Sequence, residues 1–451
     1  MNISSRLSII LLIMAATALC SVSCGDSYTP ADQTGPESQD QLMPGNTIVI
    51  YEANPKIFAT NDALKAIENR LDEIRDLGAN VIWLMPLQQQ GSKKSVGSPY
   101  CIRDFKAVNS SYGSIDDLKS LVSKAHSMDM KVIMDWIANH TSWDNVWITE
   151  HPEWYTKDAA GNIISPAGTG WNDVADLDFS STELRTSMID AMTFWIKEAG
   201  IDGFRCDHAD GVPTDFWTEA LEAIKAIDPD AILLAEGSDP KLLDCGFQML
   251  YGWEFQSKLS STFSGRTKVS SLYEARDNEY KGFAEGKERL RFTTNHDIAM
   301  NEASPVTMYK GERGAMSAFV ISTFIGGIPL IYSSQEIGYA KTLSFFTTTA
   351  INWNSNPSYT EEYREVMAAY HASAPLRGGK PALYDTGYIA SIYYKGGLLV
   401  VANTSGSDIQ VMTAGGHSGK KATDLITGQS ESIPSALNLE GYQYKIWKLE
   451  Q

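Results

Sequence analysis

Gly200-Ile201-Asp202-Gly203-Phe204-Arg205-Cys206-Asp207 is an apolar run that ends in a charged cluster, directly after an amphipathic segment closed by Gly200. A short strand followed at once by Arg and Asp is how a parallel α/β barrel presents chemistry. The strand lies in the barrel wall and its last side chains emerge at the C-terminal face, where sites are built. The guanidinium two residues away holds the Asp207 carboxylate ionised, which suits a nucleophile better than a proton donor. The competing reading is a structural Arg–Asp pair at a strand end.

Outward from this stretch, short apolar runs alternate with helical patterns, the signature of βα units and a parallel sheet. Strands are expected at 47–51, 80–85, 131–135, 200–207, 231–235, 247–251, 289–294 and 329–333. Helices are expected at 62–77, 114–128, 182–199, 215–227 and 312–324. The first carries Leu64, Ile67, Leu71, Ile74 and Leu77 at three-four spacing. The fold class is therefore α/β, a (β/α)8 TIM barrel, expected over residues 46–374. A doubly wound open sheet competes, but no Gly-rich phosphate fingerprint follows an early strand. Residues 141–179 are too long for an ordinary loop and carry Trp143, Trp147, Trp154, Tyr155 and Trp171, so an excursion domain is expected after strand 3. From 375 to 451 the pattern changes to short alternating runs (389–394, 398–402, 409–412, 442–449) with Gly, Asn and Ser turns. That reads as a C-terminal antiparallel β-sandwich domain.

The chain has 451 residues, 43% hydrophobic and 20% charged, an ordinary globular composition with room for a barrel and a companion domain. Its formal charge of -18 argues against nucleic acid and anionic membrane surfaces as partners. Residues 1–23 read as a signal peptide, with Arg6 ahead of a short apolar stretch. Ser21-Val22-Ser23-Cys24-Gly25 resembles the lipobox of bacterial lipoproteins, which implies export and a lipid anchor at Cys24, periplasmic or at the cell surface. The alternative is a plain secretory signal with a stray cysteine. Residues 24–45, with Pro30, Pro36 and Pro44 among Ser, Asp and Gln, read as a disordered tether. Of five cysteines, Cys101, Cys206 and Cys245 lie in the globular part, too few and too scattered for a disulfide framework. Oligomeric state is not readable.

Four strand ends carry polar residues that a barrel wall rarely needs: Asp135 to Asn139-His140, Arg205-Cys206-Asp207, Ala235-Glu236-Gly237, and Asn295-His296-Asp297. Each alone could be a cap or a salt bridge. Together they gather carboxylates, an Arg and two His on one rim, which points to an active site.

These segments resemble, in order, the motifs of the α-amylase superfamily of retaining glycoside hydrolases. The likeness continues in Ser98-Pro99-Tyr100-Cys101-Ile102-Arg103-Asp104, Val174-Ala175-Asp176-Leu177-Asp178 and Gly327-Ile328-Pro329-Leu330-Ile331-Tyr332. The resemblance implies that Asp207 is the nucleophile, Glu236 the general acid/base and Asp297 the carboxylate that binds sugar hydroxyls. It also implies substrate-binding roles for Tyr100, His140, Arg205 and His296. Retention needs two carboxyl groups about 5–5.5 Å apart, one ionised and one protonated. The apolar run before Glu236 and the neighbouring carboxylates are expected to raise its pKa. Asn139 and Asp176 match two side-chain ligands of the family's structural calcium, and no organic cofactor is expected. Where the family has Lys and His three and four residues after the nucleophile, this chain has Asp210 and Gly211, which alters recognition on the leaving-group side. The implied function is hydrolysis of α-1,4-glucosidic bonds in starch or maltooligosaccharides. Alternatives are a neopullulanase-like, exo-acting or transglycosylating enzyme, or an inactive surface glycan-binding protein.

Overall fold

Eight parallel strands close into a barrel in chain order: β1 (Ile50–Ala53), β2 (Val81–Leu84), β3 (Lys131–Ile137), β4 (Gly203–Asp207), β5 (Ile232–Ala235), β6 (Met249–Tyr251), β7 (Glu288–Arg291) and β8 (Ile328–Tyr332). The computed structural model describes residues 47–450. The expected signal segment, the anchor at Cys24 and the whole of the tether lie outside the described residues. Among the described residues no helix is long and apolar enough to cross a membrane.

Strands buried on both faces sort their side chains by a period of two. Inward positions Ile50, Val81, Ile133, Leu234, Met249, Leu290 and Leu330 form one cluster inside the barrel. Outward positions such as Ile82, Val132, Phe204 and Cys206 pack instead against the surrounding helices. One step further along the inward rows, at the C-terminal rim, the residues become Glu52, Asp135, Arg205, Asp207 and Glu236. The same alternation that fills the barrel therefore aims the polar groups at its mouth.

The helices begin where the sequence caps them. Ser114 and Asp117 form a reciprocal capping box at the head of Ile115–Ser127. Ser181 caps Thr182–Ala199, which Gly200 ends in the left-handed conformation at φ 69°. Gly203 (φ 144°) lets β4 lie against β5, since a Cβ there would fall 2.0 Å from the Ile232 carbonyl oxygen. The single helix expected over 62–77 is two, Ala63–Asn69 and Leu71–Asp76, meeting at Arg70. Its buried face, Leu64, Ile67, Leu71 and Ile74, nevertheless runs on across the break.

Two insertions cover the mouth. After β2, Gln88–Gln90 pairs with Ile102–Val108, a hairpin that the alternation pattern does not reveal. After β3, His140–Ser142 pairs antiparallel with Val174–Asp176 to found the excursion. Behind the barrel lies a six-stranded antiparallel sheet that includes Ile389–Tyr394, Leu398–Asn403 and Tyr444–Leu449. One face of it meets the two-stranded sheet Ile409–Met412/Ala436–Leu439 across Leu399, Val401, Leu437 and Trp447. The other face, through Ile392, Val400 and Ile446, joins the outer core of the barrel. Ser317 Oγ donates to the Asn403 carbonyl at 2.9 Å and Tyr394 OH to that of Phe324 at 3.1 Å, fixing the junction. Cys101, Cys206 and Cys245 are buried and unpaired.

Candidate active site

Arg205 is the hub. Its side chain is fully buried and its Nη1 donates to Asp135 Oδ1 at 2.7 Å and to Asp207 Oδ1 at 2.8 Å. Nη2 makes an ion-pair contact with Glu236 Oε2 at 3.0 Å, and Nε donates to Tyr251 OH at 3.0 Å. The guanidinium is ringed by Trp83 (5.0 Å to the ring centre), Tyr251 and Tyr100, which exclude water and strengthen the ion pairs. One planar fork thus holds Asp207 and Glu236 side by side at the mouth of the barrel. Asp135 lies beneath, out of solvent, where burial pushes its carboxyl up to about 7 against the pull of Arg205.

Glu236 follows β5 directly and is placed by backbone. Its N–H donates to the Cys206 carbonyl at 2.9 Å, and its Oε2 accepts the His208 N–H at 2.8 Å. The apolar surroundings expected for its carboxyl are not what it meets. Ile232 and Leu234 line the barrel below, but at rim level Glu236 faces Arg205 and is 19% exposed. Among the described residues Oε1 has no protein hydrogen-bond partner, and Glu236 lines the cavity.

Asn295 caps the helix His296–Asn301 by accepting the Ile298 N–H at 2.9 Å, which lifts His296 and Asp297 into the cavity. His296 is buried, with Nε2 at 2.8 Å from Tyr100 OH and 3.5 Å from Asp297 Oδ2. Burial alone would lower its pKa, but Asp297 and Glu52 together push it up to about 9. Tyr100 stacks on the His296 ring (centroids 5.4 Å apart) and donates from its hydroxyl to Asp135 at 3.1 Å. One face of Tyr100 is therefore occupied by protein before any sugar arrives.

Asp207, Glu236, Asp297, Tyr100, His140 and His296 all line one cavity of about 370 Å³, with Arg205 beneath it. That volume is in the range of small-ligand sites. Burial holds His140 down to about 4, so it enters the site as a neutral ring. Trp171, 37% exposed, stands edge-on to His140 (5.5 Å) and to His208 (5.1 Å). Of the excursion's aromatics, Trp154 and Tyr155 are local core; Trp171 alone among the five lines this cavity. Asp210 does not reach toward the cavity as a Lys would. It braces the loop after Glu236 by accepting the Ser238 N–H at 2.9 Å.

Asn139 and Asp176 do come together, because His140 and Asp176 are direct cross-strand partners, and Asn139 Oδ1 lies beside Gly211. This set offers one carboxylate and one amide oxygen, donors of the oxygen type calcium takes, which completes its shell with backbone carbonyls and water. Among the described residues no group of three or more His, Cys, Asp or Glu could hold an ion.

Sequence reasoning passed over Glu52, which lies under His296, and the specific roles of His208, Phe345 and Phe346 in the cavity wall. Glu52 had a signal: it is the lone charge in the apolar run 48–53, in step with Ile48 and Ile50.

Fold and side chains define a (β/α)8-barrel protein whose carboxylates converge on one guanidinium at the C-terminal mouth, with a β domain behind. A family model described as "Alpha amylase, catalytic domain" matches residues 46–161 and 169–377, and the chain belongs to that family. The gap between the two matched parts falls in the excursion. "Alpha-amylase 3" of Dictyoglomus thermophilum is 26% identical over 337 residues, covering 64% of each chain. "Alpha-amylase MalA" of Haloarcula japonica is 26% identical over 410 residues, 84% of this chain and 58% of that protein. The chain thus spans less than two thirds of the length of these curated relatives. Among solved structures, an alpha-amylase from Lactobacillus plantarum superimposes with a TM-score of 0.80 at 27% identity, covering 90% of this chain and 99% of that one.

Proposed function

We propose that this chain hydrolyses α-1,4-glucosidic bonds of starch or maltooligosaccharides with retention of configuration. The observation that carries the reading is the single Arg205 guanidinium shared by Asp207 and Glu236. Asp207, oriented by that contact, attacks the anomeric carbon. Glu236 protonates the departing glycosidic oxygen from Oε1, while Oε2 stays fixed by Arg205 and the His208 N–H. The glycosyl ester on Asp207 is then opened by water. Glu236, now a carboxylate, takes the water's proton, so both acids return to their starting states. Asp297 binds hydroxyls of the reacting sugar, His140 does so as a neutral ring, and His296 holds Tyr100 and Asp297 in place beside it. The aromatic faces of Trp171, Phe345 and Phe346 suit the apolar faces of glucose rings.

Asp207→Asn and Glu236→Gln are each expected to lower kcat by at least about a thousandfold with unfolding unchanged; near-wild-type turnover in either overturns the assignment. Chromatography of products from amylose, pullulan and maltotriose tests the substrate. Mixed-length maltooligosaccharides from amylose support the reading, whereas glucose alone, or panose from pullulan, displaces it. Export and attachment through Cys24 belong to the same proposal and rest on the sequence alone; a Cys24→Ala variant still in the membrane fraction would remove the anchor.

A further inference from the structure

The steps above leave unused one fully buried carboxylate directly under the site. Glu52 occupies the inward position of β1 two residues beyond Ile50 and is 0% exposed. Its Oε1 is 2.5 Å from His296 Nδ1, and its Oε2 has no partner. On the other side of the ring, His296 Nε2 contacts Tyr100 OH at 2.8 Å. A tyrosine has one proton to give, and Tyr100 gives it to Asp135 Oδ2 at 3.1 Å. While ionised, Asp135 is spent as an acceptor at both oxygens. Oδ2 also takes the indole N–H of Trp83 at 3.2 Å, and Oδ1 takes Arg205 Nη1. Tyr100 must therefore accept from His296, which places a proton on Nε2. Nδ1 faces a carboxylate oxygen, which places the second proton there.

We propose that Glu52 is a positioning residue for the reaction: it holds His296 as a doubly donating imidazolium, whose Nε2 fixes Tyr100 and Asp297 in the orientation that receives the sugar. The inference rests on the glycosidase reading of the same cavity for its functional meaning, though not for the protonation state. The charged and titratable groups facing the ring are Glu52 from β1, Asp135 from β3, Arg205 from β4, Tyr100 from the inserted hairpin, and Asp297 from the ring's own helix. Two carboxylates in contact outweigh one guanidinium further off. Trp83 and Phe345 stand edge-on to the imidazole and close it from water. The five elements that supply these groups come from separate parts of the chain, so the ring couples β1 to the catalytic rim without Glu52 touching substrate.

Long-range 1H–15N NMR of the histidine rings reads this directly, with His296 assigned by its loss in a His296→Asn variant. In the wild type both ring nitrogens are expected to be protonated at pH 7, with a midpoint near about 9. Glu52→Gln keeps the size and the hydrogen-bond acceptor but removes the charge. The midpoint should then fall from the wild-type value, because Asp297 alone is left to oppose burial. The alkaline limb of kcat/KM on maltotriose should move to lower pH with it. A wild-type ring carrying one proton at pH 7, or a Glu52→Gln ring that titrates with the wild type, overturns the proposal. Should Glu52→Gln fail to fold, the wild-type spectrum alone settles the question. Should the wild type cleave no α-glucan, the glycosidase reading falls while the ring's protonation is still decided by NMR.

Discussion

Replacing Arg205 by Met keeps the length of the side chain and removes the charge at the centre of the site. Three carboxylates lose a partner, but unequally. Asp207 and Glu236 have side chains 12% and 19% exposed and can turn to water, whereas Asp135 is at 0% with only Trp83 and Tyr100 left to donate to it. Breaking a buried pair from one side costs about 3–5 kcal/mol, chiefly because the remaining charge is stranded. The loss depends on pH. Burial already pushes Asp135 up to about 7 with Arg205 present, and without it the pKa rises further. A carboxyl raised above its unfolded value of about 3.9 contributes stability that is full below that pH and lost as pH rises through the folded pKa. The variant should therefore lose about 1–2 kcal/mol at pH 5, where Asp135 is neutral and only hydrogen bonds and packing go. At pH 8.5 it should lose the full amount of about 3–5 kcal/mol. Urea denaturation at the two pH values, read as Cm with a shared m-value, measures both. The double variant Arg205→Met/Asp135→Asn should recover most of the loss at pH 8.5. Equal destabilisation at both pH values, or a double variant no more stable than the single one, refutes the idea that Asp135 is the group Arg205 compensates.

Two further expectations concern substrate. Trp171→Ala removes the exposed indole that leans on His140 and His208. KM for longer maltooligosaccharides should rise by about two- to tenfold, the worth of one aromatic contact, with Tm nearly unchanged; an unaltered KM would mean that no sugar rests there. Lys56 Nζ ties the two cavity loops together by donating to the carbonyls of Gly97 (2.7 Å) and Phe346 (3.1 Å). Lys56→Met should lower kcat/KM more than it lowers stability, because Phe345 and Tyr100 are positioned by those loops, and a purely thermal effect would argue otherwise.

The barrel was legible because its strands repeat one physical requirement. The eight apolar runs are short and buried in the barrel wall, most are followed by a helix-forming pattern, and Thr182–Ala199 and Glu312–Phe324 match their expected bounds. The rim was legible because Arg205, Asp207, Glu236, His296 and Asp297 are charged residues where a strand wall needs none. What escaped were residues whose neighbours come from elsewhere in the chain. Glu52 fell just past the expected end of the first strand, and only the closing of β8 and β7 around it shows that it faces His296. The apolar run before Glu236 suggested a dry pocket, yet the inward side chain across from it is Arg205, which belongs to β4. In the β domain the strands Lys421–Asp424 and Ser430–Ser432 are short and largely polar, and pairing with Tyr444–Leu449 is what makes them sheet.

The account stands on Asp207 and Glu236 acting in succession across one glucosidic bond. Proton NMR of maltotriose hydrolysis, recorded within seconds of mixing, identifies the anomer released before mutarotation. The α-anomer is expected first, since two displacements at the same carbon restore the original configuration. The β-anomer appearing first would mean that water attacks the sugar directly and that Asp207 forms no covalent intermediate.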